Sequence, residues 1–348
     1  MRVLVGLSGG VDSSVAAALL LEAGHEVVGA TMKLWGGAGD SGCCSVGDVE
    51  DARRVAARLG IDHHVFNFAE EFEQTVVEPY ARAHALGRTP NPCIECNRHL
   101  KFRRFLDRAV RLGFDAVATG HHARIASDPA TGAARLWRGL DAAKDQSYVL
   151  SMLTVRELAR VLLPVGELTK HDVRARAAAL GLPTATKPDS QEVCFVAAGA
   201  GQGPRQRFLA ERIELHPGRL VDHATGAVVG SVPAVELVTV GQRRGLGYSA
   251  PGRRYALEVD AASATVVVGS EDDLLTDHVE LTGRTWVADP LPAGAAALAQ
   301  ASAHGRARPV KLSETGVSYL EGPERRVAPG QTVALYVGDQ VVGSGTAA

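Results

Sequence analysis

The chain has 348 residues, long for a single hydrophobic core, so two or three domains are expected. Hydrophobic residues make up 46% and charged ones 22%, the balance of a water-soluble globular protein, and the net charge of −2 supplies no overall field for nucleic acid. Any such site must rest on local basic clusters. The opening apolar run, Val3 to Leu7, is too short for a signal peptide and no run reaches membrane-spanning length, so a cytoplasmic address is expected. The five cysteines, Cys43, Cys44, Cys93, Cys96 and Cys194, do not suggest a secreted disulfide scaffold. In a reducing compartment they read as catalytic, redox or metal-binding groups.

In chain order, Arg2–Leu7 reads as a strand, Ser13–Ala23 as a helix and His25–Leu34 as the next strand. Val49–Leu59 is helical and His63–Phe68 is a third strand. Glu71–Leu86 and Arg98–Leu112 read as helices, followed by a strand at Ala116–Thr119. Such alternation indicates βαβ units around a parallel sheet. The second of those helices places Phe102, Phe105, Leu106, Ala109 and Val110 on one face and Lys101, Arg104, Arg108 and Arg111 on another. From about Ala198–Pro204 onward the chain turns rich in Val, Gly and Thr. Turn signals recur at His216-Pro-Gly, Ala224-Thr-Gly, Ala250-Pro-Gly and Ala328-Pro-Gly, which predicts small β-barrel modules. Ala288–Ala299 reads as a loop, and three domains are expected at 1–200, 201–275 and 276–348.

The strongest local signal is Gly6-Leu7-Ser8-Gly9-Gly10-Val11-Asp12-Ser13-Ser14, between a strand and a helix. Successive small residues let backbone N–H groups converge on an anion, aided by the helix dipole and the serine hydroxyls. No Gly-Lys-Ser/Thr follows, so this is not a Walker A loop, nor is it a Gly-x-Gly-x-x-Gly dinucleotide fingerprint. Its spelling resembles the pyrophosphate-binding loop of ATP-dependent adenylating enzymes, which implies cleavage of ATP between the α and β phosphates. Asp12 would then position the phosphates with Mg²⁺, and Met32 and Gly120, at strand ends, would line the adenosine site.

Asn91-Pro-Cys-Ile-Glu-Cys-Asn-Arg reads as a loop before a helix, with Cys96 near Arg98 and Lys101, surroundings that favour a thiolate. Cys194 lies in Pro188-Asp-Ser-Gln-Glu-Val-Cys-Phe, where it reads equally as buried or catalytic. The single C-x-x-C of Cys93 and Cys96 fits redox chemistry or metal ligation, but not a four-cysteine zinc site. Adjacent Cys43 and Cys44 suit no ordinary disulfide.

Together these residues resemble the tRNA-specific 2-thiouridylases over nearly the whole chain. The resemblance runs through Gly6–Ser14, Cys43-Cys44, Asn91–Phe102, Gly120-His-His-Ala-Arg, Lys144-Asp-Gln-Ser-Tyr, Asp189–Phe195, Val240-Gly-Gln-Arg-Arg-Gly-Leu and Ala328-Pro-Gly-Gln. It implies an α/β adenine-nucleotide α-hydrolase-like (PP-loop ATPase) domain followed by two small β-barrel-like domains. It implies that ATP adenylates O2 of the wobble uridine and that sulfur, carried as a persulfide on Cys194, replaces that oxygen. Cys96 would attack the base or release the sulfur by pairing with Cys194. Asn91, Pro92 and Cys93 would face the flipped base. His121, Lys144, Asp145, Gln146 and Gln331 would contact tRNA. The implied partners are tRNAs for Lys, Glu and Gln and a cysteine desulfurase or sulfur carrier, with the protein a monomer. The sequence departs from the family at three places: Cys93 stands where many members carry Asp, Gly230-Ser-Val-Pro-Ala lacks a histidine, and Ser302-Ala-His-Gly-Arg replaces an Arg-Tyr pair. A third thiol makes a [4Fe–4S] cluster on Cys93, Cys96 and Cys194 the alternative sulfur carrier. A small-molecule adenylating ligase is the alternative enzyme, and an ATP-binding sensor the non-catalytic one.

Overall fold

The computed structural model describes residues 1–35, 45–189, 193–196, 203–247 and 252–348; Cys43, Cys44 and most of the Ala250-Pro-Gly turn lie outside them. The N-terminal strands are β1 (Arg2–Gly6), β2 (Glu26–Lys33), β3 (His63–Asn67), β4 (Ala116–Ala118), a hairpin of β5 (Ala123–Ser127) and β6 (Ala134–Arg138), and β7 (Val161–Leu162). Five of them form a parallel sheet in the order β3-β2-β1-β4-β7. Successive strands step outward in one direction from β1 and then return on its other side, so the order reverses between β1 and β4. Open α/β sheets bind their ligands in the crevice at such a reversal.

The helix after β1, α1 (Val11–Glu22), is buried on nearly every face, which its Val-Ala-Ala-Ala-Leu-Leu run permits. It packs against α2 (Val46–Leu59) and, far along the chain, α8 (Lys170–Ala179). Between these, α3 (Ala69–Phe72), a π-helical turn (Glu73–Val77) and α4 (Glu78–Ala85) follow one another without a break. The next helix starts earlier than its charge pattern suggests. It begins as α5 (Pro92–Cys96), passes through a π-helical stretch (Asn97–Arg104) and ends as α6 (Phe105–Arg111). Asn91 caps it by accepting from the Cys93 N–H at 3.1 Å, and Pro92 sits where its missing N–H costs nothing. Phe102, Phe105, Leu106 and Ala109 are buried as expected, whereas Val110 is 44% exposed. Short helical segments α7 (Val155–Leu158) and α9 (Gly203–Ala210) complete the set of α-helices among the described residues.

The middle of the chain forms a four-stranded sheet, with β8 (Gly218–Asp222), β9 (Val228–Val232), β10 (Tyr255–Asp260) and β11 (Thr265–Gly269) in the order β10-β11-β8-β9. After a short β12 (Leu275–Thr276), the last part supplies β13 (His278–Trp286), β14 (Ala296–Gln300), β15 (Arg308–Leu312), β16 (Gly316–Tyr319), β17 (Glu324–Arg325), β18 (Thr332–Val337) and β19 (Gln340–Ala347). Six of these close into an antiparallel barrel, β13-β16-β15-β14-β18-β19 and back to β13. The expected loop at 288–299 therefore ends in a strand. Alanine is a poor strand former, but Ala296–Gln300 is hydrogen-bonded to β15 on one side and β18 on the other, and pairing overrides propensity.

Two of the joints that tie these parts together involve buried side chains. Strand β19 pairs with β6, so the N-terminal hairpin extends the barrel sheet, and the Tyr148 hydroxyl donates to the Thr332 carbonyl at 2.9 Å. At the second joint, buried His84 of α4 donates through Nδ1 to the Glu236 carbonyl at 3.0 Å. Burial pushes the His84 pKa down to about 4 and that of His121 down to about 3. A histidine with a lowered folded pKa is neutral in the native state while the unfolded chain takes up a proton below about pH 6.5. Stability is thus complete above that pH and lost as pH falls toward the folded values. Each group should cost about 2 kcal/mol at pH 5 relative to pH 8, at about 1.4 kcal/mol per pH unit. Thermal melts should show a lower midpoint at pH 5, with the difference reduced in His84→Gln. Identical midpoints at the two pH values would contradict this.

Candidate active site

The loop from Leu7 to Gly10 leaves the carboxyl end of β1 at the reversal in strand order. Leu7 donates from its amide to the Ala30 carbonyl at 2.8 Å and accepts from the buried Thr31 hydroxyl at 2.7 Å, which fixes where the loop begins. Gly9 has φ +71°, and a Cβ there would lie 2.3 Å from the Asp48 carbonyl oxygen at the start of α2. The Ser13 hydroxyl donates to the Gly10 carbonyl at 3.1 Å and accepts from the Ser8 amide at 3.2 Å. Ser14 donates to the same carbonyl at 2.8 Å. Among the described residues no side chain caps α1, so its positive end faces the crevice beside two residues without side chains.

Residues expected to line the nucleotide site converge here. A Cβ on Gly6 would stand 3.4 Å from Met32 Cε, and one on Gly120 would stand 2.5 Å from the Ser13 nitrogen. Gly6, Met32, Gly120 and the start of α1 thus form one wall, from the ends of β1, β2 and β4.

Asp12 points to a charged network that the sequence did not reveal. Its carboxylate is 3.1 Å from His122 Nε2 and accepts from Lys170 Nζ at 2.8 and 2.7 Å. Burial pushes this carboxyl up, but the hydrogen bonds from His122 and Lys170 outweigh it and hold the pKa below the ordinary value. Lys170 also reaches Asp189 at 2.8 Å, which is shared with Lys144 at 2.8 Å and Arg174 at 3.0 Å. Burial opposes ionisation of Asp189 too, but these cations bring its pKa down to about 2. His122 is 3% exposed, and its Nδ1 has no hydrogen-bond partner among the described residues.

The cysteines occupy contrasting surroundings. Cys96 is 7% exposed at the end of the first turn of its helix, Cys194 is half-buried and Cys93 is exposed; none of the three is in a disulfide. The helix carrying Cys96 packs on the π turn at Glu73–Val77. Phe195, beside Cys194, packs its ring against Phe72 and Tyr80, at 5.6 and 5.4 Å between centroids. The segments carrying both cysteines therefore flank the helical stretch 69–85. Phe105, further along the Cys96 helix, lies 3.7 Å from a Cβ built on Gly6, so the same helix reaches the floor of the phosphate loop.

The residues expected to meet nucleic acid divide into two groups. Lys144 is partly exposed, and Gln331 lies at the turn beside Asn91, where its side chain donates to the Thr89 carbonyl. Gln146 accepts from the His122 amide at 2.9 Å. Asp145 is 8% exposed and accepts from Arg138, Gly139 and Ser147, and His121 is buried with Nδ1 2.8 Å from the Thr119 hydroxyl. Lys170, Arg174 and His122 were missed as site residues. Lys170 stands inside a Thr169–Asp172 capping box, as the first helical residue, so locally it reads as an ordinary helix start.

Residues 1–198 match the tRNA methyl transferase HUP domain, 206–270 the tRNA methyl transferase PRC-barrel domain, and 285–347 the aminomethyltransferase beta-barrel domain. The tRNA-specific 2-thiouridylase MnmA of Chloroflexus aurantiacus is 46% identical over 99% of this chain and 97% of its own. The proteins of the same name from Salinispora arenicola (45%, covering 100% and 99%) and Thermobifida fusca (44%, covering 100% and 96%) are similarly alike. Among solved structures, the U34-tRNA thiolase NcsA of Methanococcus maripaludis resembles the chain at TM-score 0.38 and 18% identity, over 61% of this chain and 65% of that one. With full-length identity of this order and all three domain descriptions in sequence, the chain belongs to the tRNA-specific 2-thiouridylase family.

Proposed function

We propose that this protein is an ATP-dependent tRNA-uridine 2-sulfurtransferase acting on the wobble base. The supporting observations are a glycine-rich loop at the switch point of the sheet, reached by the helix that carries Cys96, and the packing of that helix and of Phe195, next to Cys194, on the stretch 69–85. The uridine O2 attacks the α-phosphorus, pyrophosphate leaves, and C2 becomes open to substitution with AMP as the leaving group. The terminal sulfur of a persulfide on Cys194 attacks C2, and AMP departs with the former O2. Cys96 then attacks Cys194 Sγ, giving a Cys96–Cys194 disulfide and leaving the sulfur on the base, and an external thiol restores the pair. The exposures support these roles, since an acceptor of sulfur from another protein has to be reachable and a resolving thiol does not.

Asn91, Pro92 and Cys93 face the extruded base, with Lys144, Gln146 and Gln331 toward tRNA, while His121 and Asp145 shape the loops beneath them. Asp12 fits an ion such as Mg²⁺, which commonly takes one or two carboxylates together with substrate phosphates. That ion would neutralise charge on the phosphates. A [4Fe–4S] cluster on Cys93, Cys96 and Cys194 is the alternative sulfur carrier; among the described residues no three His, Cys, Asp or Glu side chains are grouped to hold a metal. The matched domain descriptions speak of methyl transfer, but an anion-binding loop and a thiol pair suit adenylation and sulfur transfer. The remaining assignments follow the family: tRNAs for Lys, Glu and Gln, a cysteine desulfurase or carrier as donor, a cytoplasmic monomer, and boundaries near 200 and 275.

Purified protein with ATP, Mg²⁺, a persulfide donor and unmodified tRNA should yield tRNA retarded on a mercury-affinity gel, and none without ATP. Absence of retarded tRNA, with AMP formed instead on adding a small amine, would favour the ligase.

A further inference from the structure

Cys93 and Cys96 share one short helix but differ in what can reach them. Both belong to α5, three positions apart, so they stand on one face with Cα atoms about 5 Å from each other. That separation lies inside the range a disulfide spans, and C-x-x-C is the spacing of dithiol redox pairs. Asn91 fixes the outer cysteine by accepting its N–H at 3.1 Å. Cys93 is exposed, whereas Cys96 is 7% exposed and belongs to the same core cluster as Ile94 and Leu100. Cys194 is half-buried and packs against that cluster. A Cys96–Cys194 disulfide left by sulfur transfer would thus join a buried sulfur to a half-buried one. An external reductant has poor access to either, yet the bond must open before the next turnover.

We propose that Cys93 is the resolving thiol, which moves this disulfide to the surface. The Cys93 thiolate, its proton released to solvent, attacks Cys96 Sγ. The Cys93–Cys96 bond forms, the Cys96–Cys194 bond breaks, and its electron pair leaves on Cys194 Sγ, which takes up a proton. One disulfide is exchanged for another, with no net oxidation. An external dithiol then attacks exposed Cys93 Sγ, and Cys96 leaves as a thiolate and is protonated. The second sulfur of the dithiol displaces Cys93 and closes its own disulfide, so two electrons pass to the pair. Cys93 faces the base in the thiolation reading, so the exchange follows departure of the product. The step rests on that reading for the disulfide it resolves; the Cys93–Cys96 pair does not.

The test uses the full chain. Native protein loaded with persulfide and given ATP, Mg²⁺ and tRNA without reductant is quenched in acid and its disulfides are mapped by mass spectrometry. It should hold Cys93–Cys96, and Cys93→Ser should hold Cys96–Cys194 instead. With a limiting dithiol present, the ratio of steady rate to first-turnover rate should be at least about tenfold lower in Cys93→Ser. Both phases are read in one protein, so any effect of residue 93 on the base cancels. Native protein holding only Cys96–Cys194, or an unchanged ratio in Cys93→Ser, overturns the proposal. Cys194→Ser checks the pair by itself, because it carries no sulfur: oxidised glutathione should close Cys93–Cys96, seen as the loss of two hydrogens. Failure to close it overturns the proposal as well. A pair that closes in a protein unable to thiolate tRNA would sink the functional reading and leave the redox pair standing.

Discussion

Cys96→Ser and Cys194→Ser are each expected to reduce thiolation by about a thousandfold or more while nucleotide affinity stays within about threefold. Serine is nearly the size of cysteine, so neither change opens a cavity, even at buried Cys96. The chemistry lost differs between them. Without the thiol at 194 there is no persulfide, and the reaction stops before sulfur reaches the base. Without the thiol at 96 the sulfur still reaches C2 but remains bonded to Cys194 Sγ. Cys96→Ser should therefore accumulate a protein–tRNA adduct, visible on a non-reducing gel and dispersed by dithiothreitol, and Cys194→Ser should not. Equal adducts in both variants, or full activity in either, would contradict the relay.

Gly120→Ala should weaken nucleotide binding by about tenfold to a hundredfold, with a smaller effect on thermal stability. The cause is space. Its Cβ would fall 2.5 Å from the Ser13 nitrogen, 2.6 Å from the Asp12 carbonyl carbon and 2.9 Å from Asp12 Cβ. Every one of those atoms belongs to the first turn of α1, which is buried between α2, α8 and the sheet and cannot retreat. Either α1 shifts and the loop opens, or β4 and Gly120 move away from it, and both spoil the wall that joins Gly6 and Met32. Overpacking of this kind typically costs about 1–3 kcal/mol. At the site the same displacement is felt as misaligned phosphates. Isothermal titration with α,β-methylene-ATP reads the loss directly, and native affinity in the variant would show that this wall does not hold the nucleotide.

What the sequence made legible was local. The strand, glycine turn and helix at residues 2–22 could be read because an apolar run, three small residues and an apolar helix stand side by side, and the structure keeps that order. Convergence of Met32 and Gly120 on the loop followed from strand ends in a parallel sheet. Boundaries were less legible: Asn91 and Pro92 make a good helix start, but the same residues also spell a turn. The contacts made by Lys170 were not legible at all. Its partner Asp12 is 158 positions away, and no periodicity or spacing announces a bond across that distance. The Lys144–Tyr148 run shows the opposite difficulty, since a polar motif invites a surface role. Here Asp145 bonds to Arg138, Gln146 to the His122 backbone, Ser147 to Asp145 and Tyr148 to the barrel, so most of the motif joins the nucleotide site to the C-terminal barrel.

The most direct measurement follows the oxygen that has to leave. tRNA carrying ¹⁸O at O2 of the wobble uridine, incubated with protein, ATP and a persulfide donor, should pass its label into the phosphate of AMP, one atom per sulfur incorporated. Label in inorganic phosphate would mean attack at the γ-phosphorus, and label retained in the tRNA would mean that this oxygen is never activated; either contradicts adenylation.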